Sequence, residues 1–267
     1  MKQVKILNLY IDNLSTVELL EKLDLKGGVV FTPNVDHLMK LQKDVSFYKA
    51  YMSADYRVCD GQILLYSSNF LGTPIKEKIS GSDLLPMFCQ YHKNNENIKI
   101  FLLGAAEGVA KSAQQRINSQ LGRDIVVDAY SPSFRFERNE KESLEIVDKI
   151  NNSGATVLVI GVGAPKQEKW IYKYRGKLKN IRIFLAVGAA IDFVAGHKNR
   201  CPKWMSEVGL ETPYRIFCEP RRLWRRYLIE DPPFFWLILK QKLNIYKEPY
   251  YLQENLKDRL IEDCFER

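Results

Sequence analysis

Hydrophobic positions along this chain come in two alternating kinds of run. Short, nearly continuous apolar stretches stop at a glycine, threonine or aspartate. Each then gives way to a longer segment in which apolar residues recur every three or four positions. The short runs are 28–32, 56–60, 98–103, 156–160 and 181–187, with 125–128 as a briefer one. The segments behind them predict helices over about 36–54, 62–69, 107–120, 166–175 and 189–194. Buried strands alternating with amphipathic helices predict an α/β fold of Rossmann-like type: a mostly parallel sheet with helices on both faces. Such sheets bind ligands outside the carboxyl ends of their strands. Thr32, Asp60, Gly104, Gly161 and Gly188 stand at those ends.

The pattern changes near residue 196. Strand-like runs stop, and Arg, Lys, Pro, Trp and Tyr dominate to about 242, followed by a charged stretch over 247–267. The chain therefore reads as an α/β core over 1–196 and a mostly helical appendage over 197–267.

Composition narrows the class. With 267 residues, 46% hydrophobic and 27% charged, the chain is long enough to bury a full core and is not of disordered type. Its net charge of +8 favours anionic partners: nucleic acid, acidic lipid or phosphorylated ligands. The excess is local, with Lys198, Arg200, Lys203, Arg215, Arg221, Arg222, Arg225 and Arg226 set against Glu207, Glu211 and Glu219. Five scattered cysteines without a C-x-x-C pair, and three histidines without ligand spacing, predict free thiols in a reducing compartment and no structural zinc. No signal-peptide pattern opens the chain. The apolar run at 234–239 falls far short of the roughly 20 residues a spanning helix needs. The expectation is a cytoplasmic protein whose membrane contact is peripheral.

Several segments carry candidate chemistry, each with a plainer alternative. Gly161-Val162-Gly163-Ala164-Pro165-Lys166 matches half of a dinucleotide fingerprint, but Lys166 replaces the third glycine. What remains is close backbone approach to a phosphate or sugar, with the N–H groups of the following helix open to an anion, or an ordinary strand–helix turn. Gln167 and Glu168 either face that ligand or simply suit the helix dipole. Asp60, at the end of a buried strand, is a candidate general base or the N-cap of the next helix. Asp36, Asp83 and Asp192 carry the same ambiguity. The chain has no D-x-D motif, the metal-holding pair of many nucleotide-sugar transferases, so a transferase built on it would meet leaving-group charge with arginines. Arg215, Arg222 and Arg225, spaced i, i+7, i+10, fall within about 80° of one another on a single helix. Pro220 threatens that helix, and Arg221 and Arg226 would point elsewhere. Trp204, Tyr214, Trp224 and Tyr227 are interleaved with these cations, which suits a lipid interface, a solvated basic helix or nucleic acid.

Taken together, the chain resembles the WecG/TagA/CpsF family of bacterial glycosyltransferases, glycosyltransferase family 26. The resemblance rests on T-P-N-V-D-H (32–37), A-D-Y-R-V-C-D-G-Q (54–62), K-I-S-G-S-D-L (78–84), F-L-L-G-A-A-E-G-V-A (101–110), V-I-G-V-G-A-P-K-Q-E-K-W (159–170), V-G-A-A-I-D-F-V-A-G (187–196), P-K-W-M-S-E-V-G-L-E (202–211) and Y-R-I-F-C-E-P-R-R-L-W-R-R-Y (214–227). It covers about 5–230, with the segments in the family's order.

The resemblance implies inverting, metal-independent transfer of a hexose, of N-acetylmannosamine type or another hexose or uronic acid, from a UDP-sugar to a polyprenyl-diphosphate-linked sugar. The product would serve a surface polymer such as teichoic acid, capsule or exopolysaccharide. It implies no cofactor, Asp60 as catalytic base, and Thr32 and Gln167 in the active site. It also implies an appendage that brings Arg215, Arg222 and Arg225 over the site and docks on the anionic inner face of the membrane, with homo-oligomers off the membrane. Asn34, Asp83, Gly104, Gly161, Gly163 and Asp192 are the candidate substrate-binding residues.

One departure concerns the appendage: this chain reads Gly209-Leu210-Glu211-Thr212-Pro213-Tyr214-Arg215 where many members have G-L-E-W-x-Y-R, which puts the register of Arg215 in question. Residues 231–240 form an apolar extension read as extra interfacial anchoring. Two other classes compete. A nicotinamide-dependent oxidoreductase lacks its third fingerprint glycine. A nucleic-acid-binding protein would account for the basic patch but not for five ligand-type strand ends, so no nucleic-acid partner is expected.

Overall fold

The computed structural model describes residues 2–202, 205 and 211–249, with the backbone alone at 211, 212, 215 and 222. Its centre is a six-stranded sheet made of β3 (Gly28–Phe31), β4 (Tyr56–Arg57), β5 (Ile100–Gly104), β6 (Val126–Tyr130), β7 (Val157–Gly161) and β8 (Ile183–Ala186). Every pairing in it is parallel, in the order β4-β3-β8-β7-β5-β6. Side chains of a strand alternate between faces, and the central strands divide strictly on that rule. Phe31, Phe101, Leu103, Leu158, Ile160, Phe184 and Ala186 enter one core. Val30, Ile100, Leu102, Val157, Val159, Ile183 and Leu185 enter the other. This is the Rossmann-like α/β sheet that the apolar runs predict.

One face is covered by α1 (Thr16–Lys26), α5 (Gly81–Tyr91), α6 (Val109–Leu121) and α9 (Ala190–Val194). The other is covered by α2 (Val35–Leu41), α3 (Val45–Met52), α4 (Gln62–Leu71), α7 (Glu140–Asn152) and α8 (Lys166–Tyr174). The single helix expected over 36–54 is two, because Asp44 caps a fresh start by accepting from the Phe47 N–H at 3.0 Å. The strand expected over 56–60 pairs only at Tyr56 and Arg57. It lies at the sheet edge, and the chain leaves the ladder before Asp60.

An antiparallel hairpin, β1 (Gln3–Ile6) and β2 (Leu9–Asp12), precedes the sheet and buries Val4, Ile6, Leu9 and Ile11. Its tip meets the C-terminal region. The Leu7 N–H donates to Gln241 Oε1 at 2.7 Å, and Lys5 pairs with Glu248 at 2.7 Å.

Beyond the sheet lie α10 (Glu211–Cys218), α11 (Pro220–Arg225), a π-helical turn Arg226–Glu230, and α12 (Pro233–Lys242). Pro213 sits in the first described turn of α10, and Pro220 opens α11. The helix considered for Arg215, Arg222 and Arg225 is therefore interrupted at Glu219. The apolar extension is α12. One of its sides, Phe234 and Ile238, is buried against α2 and α4, while Phe235 and Trp236 are each 58% exposed. Among the described residues no helix is long and apolar enough to cross a membrane.

Candidate active site

The carboxyl edge of the sheet assembles the predicted strand-end residues. Gly104, Gly161 and the turn at Gly188 stand side by side. A Cβ on Gly104 would lie 2.4 Å from the Gly161 carbonyl oxygen, and one on Gly161 would lie 2.5 Å from that of Gly188. These glycines are thus demanded by the approach of neighbouring strand ends to one another. Gly163 is different: its φ of +81° is left-handed and no atom crowds its missing side chain. It faces a cavity of about 280 Å3 that also takes in Gly161, Gly188 and Asp192. Three cations line this cavity: Arg135 after β6, Lys166 at the start of α8 and Lys198 after α9. Lys198 also pairs with Glu219 at 2.9 Å, which joins the cavity rim to the appendage.

Gln167 is buried and works inward. Its Oε1 accepts from the N–H groups of Gly163 (3.2 Å) and Gly188 (3.3 Å), while its Nε2 donates to Glu168 Oε1 at 2.8 Å. It holds together the two turns that follow β7 and β8. The first N–H groups of α8 are also engaged, since those of Lys166 and Gln167 both donate to the Gly163 carbonyl at 3.1 and 3.2 Å. The expectation that these groups lie open to an anion is not met. Glu168 is fully buried, not a surface partner of the dipole, and its Oε2 has no hydrogen bond. Burial pushes its carboxyl up to about 7, against the Gln167 bond that favours ionisation.

On the adjacent strand, Thr32 ends β3, buried, with its hydroxyl 3.5 Å from the Ala186 carbonyl of β8. Asp60 lies beside it in the loop that leaves the sheet, anchored by its N–H to the Pro33 carbonyl at 2.9 Å. The N-cap position of α4 belongs to Gly61, and no side chain caps that helix. The capping alternative for Asp60 is thereby excluded. Asn34 caps α2 through its Oδ1, which accepts from the His37 N–H at 3.2 Å, and turns its Nδ2 toward Asp60 Oδ2 at 3.5 Å.

Beneath this lies a buried polar cluster. His37 Nδ1 and the Tyr51 hydroxyl share a 2.5 Å hydrogen bond, and burial drives the imidazole pKa down to about 3, despite Asp36. Burial alone would raise the Asp36 carboxyl, but Arg226 and Lys40 outweigh it and hold it below the usual range.

The remaining candidates separate. Asp83 lies in the first turn of α5, bonded to the Ser80 hydroxyl and to Arg200 at 2.5 Å each. It is not part of the cavity wall. Arg225 is exposed and pairs with Glu230 at 3.2 Å. The side chains of Arg215 and Arg222 lie outside the described residues, as does Trp204. Among the described arginine side chains of the appendage, Arg226, expected to point away, reaches toward Asp60's neighbour Asn34, close also to Asp36 and Asp231. Sequence reasoning passed over Arg135, and named Lys198 only within the basic patch and Lys166 only as the residue replacing the third fingerprint glycine.

Comparison with known proteins bears on the same residues. A family model described as "Glycosyl transferase WecG/TagA/CpsF family" matches residues 4–248. The chain belongs to the WecG/TagA/CpsF family. It is a glycosyltransferase.

Among relatives, a protein of Bacillus subtilis (strain 168) is 26% identical over 240 residues, 89% of either chain. One from Staphylococcus aureus (strain MRSA252) is 26% identical over 257 residues, 92% of this chain and 95% of its own. Both are named N-acetylglucosaminyldiphosphoundecaprenol N-acetyl-beta-D-mannosaminyltransferase. The family match runs through α12, so that helix falls within the WecG/TagA/CpsF region.

Proposed function

We propose that this family member transfers a hexose of N-acetylmannosamine type from a UDP-sugar to a GlcNAc-diphosphate-linked polyprenol, with inversion and without a metal. The observation that carries the reading is a carboxylate, Asp60, in the loop that follows the edge strand β4, on the same edge of the sheet as a cationic cavity at the ends of the central strands. Thr32 and Gln167 stand between them. Asp60 takes the proton of the acceptor hydroxyl as its oxygen attacks C1 of the donor sugar. The bond from C1 to the diphosphate oxygen breaks and UDP departs with the electron pair. Arg135, Lys166 and Lys198 on the cavity wall meet the diphosphate charge, joined by Arg215 and Arg222 from the appendage. Asp192, on the cavity wall, suits the hydroxyls of the nucleoside.

The acceptor's polyprenyl chain calls for contact with a bilayer. The outer side of α12 supplies Phe235 and Trp236, with Lys240 over the Trp236 ring at 5.5 Å. On the adjoining α4, Tyr66 and Phe70 are exposed, with Lys242 over the Phe70 ring at 5.6 Å. Exposed aromatics combined with lysines suit an anionic lipid surface.

The test is UDP release by purified protein given a short-chain polyprenyl-diphosphate-GlcNAc and a panel of UDP-sugars, with EDTA present. Turnover with one donor supports the proposal and names the sugar. Absence of both turnover and UDP binding refutes it.

A further inference from the structure

Arg226 opens the π-helical turn of the appendage, yet its side chain is only 24% exposed, against 72% for Arg225. Three groups converge on its guanidinium. Nη1 lies 3.7 Å from Asp36 Oδ2, Nε lies 3.5 Å from Asp231 Oδ2, and Nη2 donates to Asn34 Oδ1 at 3.4 Å. Asp36 is also held by Lys40 at 2.6 Å, so it does not depend on Arg226 alone for a partner.

The third contact is the informative one. Asn34 Oδ1 already accepts the His37 N–H that caps α2. The His37 N–H already calls for the oxygen on that side of the amide, and a second donor on the same oxygen reinforces that orientation. An amide has two donors on nitrogen and none on oxygen. With Oδ1 committed to His37 and Arg226, Nδ2 must face Asp60 Oδ2, as it does. A line of polar contacts thus runs from the appendage through Asn34 to the carboxylate assigned as the base.

We propose that Arg226 is a positioning residue for the transfer reaction. It couples the seating of the appendage to the alignment of Asp60, acting through the Asn34 amide. The inference rests on Asp60 being the base. When the appendage is seated, Arg226 locks Asn34, and Asn34 holds the carboxylate in one orientation toward the acceptor hydroxyl. When it is not, Asn34 Oδ1 keeps only the His37 N–H, the amide is less firmly braced, and Asp60 is less well held. Activity is thereby confined to molecules whose appendage is in place.

The test is a double-mutant cycle on turnover with Arg226→Gln, Asn34→Ala and the pair, together with Asp60→Asn and Arg226→Lys. Thermal melts check each fold. Misplacing a reacting group by about 1 Å costs on the order of 100-fold in rate, so Arg226→Gln is expected to lower kcat by roughly 10- to 100-fold with donor KM unchanged. An appendage that had merely come loose would raise donor KM instead. Arg226→Lys keeps the charge beside Asp36 and Asp231 but loses the forked donor. It is expected to restore the melting temperature and not kcat. In the Asn34→Ala background, Arg226→Gln should have no further effect on kcat.

Additive effects of the two substitutions, or full rescue of kcat by lysine, would overturn the proposal and leave the Asp60 assignment standing. Near wild-type turnover by Asp60→Asn would overturn both.

Discussion

Replacing Glu168 by glutamine isolates a buried proton. The carboxyl is fully buried, bonded on one oxygen to Gln167 and unpartnered on the other. Its pKa rises from the ordinary 4.5 to about 7. A tenfold change in proton affinity is worth about 1.4 kcal/mol, so the rise corresponds to about 3 kcal/mol. For an acid with a raised folded-state pKa, this stability is fully present below pH 4.5. It drains away as pH climbs through 7, because the unfolded chain ionises first.

Glutamine is isosteric with the neutral acid, keeps an oxygen for the Gln167 amide and has no proton to lose. Relative to the wild type, the Glu168→Gln protein should therefore gain about 3 kcal/mol between pH 4 and pH 8. For 267 residues that amounts to about 5 °C in Tm. His37 contributes in the opposite direction: with its folded pKa lowered to about 3, its stability is present above pH 6.5 and is lost as pH falls. That contribution is common to both proteins and cancels in the difference. Guanidinium denaturation across pH 4–8 measures the gap. Two stability curves that stay parallel over that range would refute a buried neutral Glu168.

Four further outcomes follow from the same geometry. Asp60→Asn should lower turnover by about 100- to 10,000-fold with UDP affinity retained, and a wild-type rate in the UDP-release assay would remove it as base. Phe234→Ala, which empties a fully buried site beneath α12, should cost about 3–5 kcal/mol in denaturant unfolding; a loss below about 1 kcal/mol would mean that the helix is loosely docked. Gly161→Ala places a methyl group 2.5 Å from the Gly188 carbonyl oxygen, so both Tm and turnover should fall, and an unchanged melt would show that the strand ends can part. Trp236→Ala, at a site 58% exposed, should shift stability by less than about 0.5 kcal/mol yet weaken binding to phosphatidylglycerol vesicles, and undiminished binding would dismiss α12 as the bilayer-facing surface.

The sheet was legible because its four central strands are buried on both faces, which makes each a continuous apolar run that stops where the ladder stops. The β1–β2 hairpin was not, since its four-residue strands carry exposed Gln3, Lys5 and Tyr10 between the buried positions. Helices α1, α5 and α7 were also passed over, although Ser15, Ser80 and Asn139 supply side-chain caps for them. Asp60 could be found as a candidate from its place at a strand end, but only the structure shows that Gly61 takes the capping position. Arg226 could not be found by counting along a helix. The 3.6-residue wheel used for Arg215, Arg222 and Arg225 fails at the Glu219 break, and Arg226 stands just beyond it, where the helix widens into a π turn. A wider turn re-aims every side chain after it.

The docking of the C-terminal helix changes what kind of object the appendage is. Arg200 is tied to Asp83 at one end. At the other, Phe234 is sunk in the core, Gln241 grips the hairpin tip and Tyr246 donates to Gln42 at 2.8 Å. The arginine-bearing stretch between them, about 30 residues, is a strap held at both ends, so the proposed closure would carry no separate entropic cost for bringing those ends together. In the proposed reaction its cations would meet the cavity at an effective concentration in the ~mM range, set by strap length and indifferent to how dilute the protein is. Cutting the chain after residue 230 would leave every arginine of the strap in place, yet it would turn the strap into a tail and dilute that local concentration.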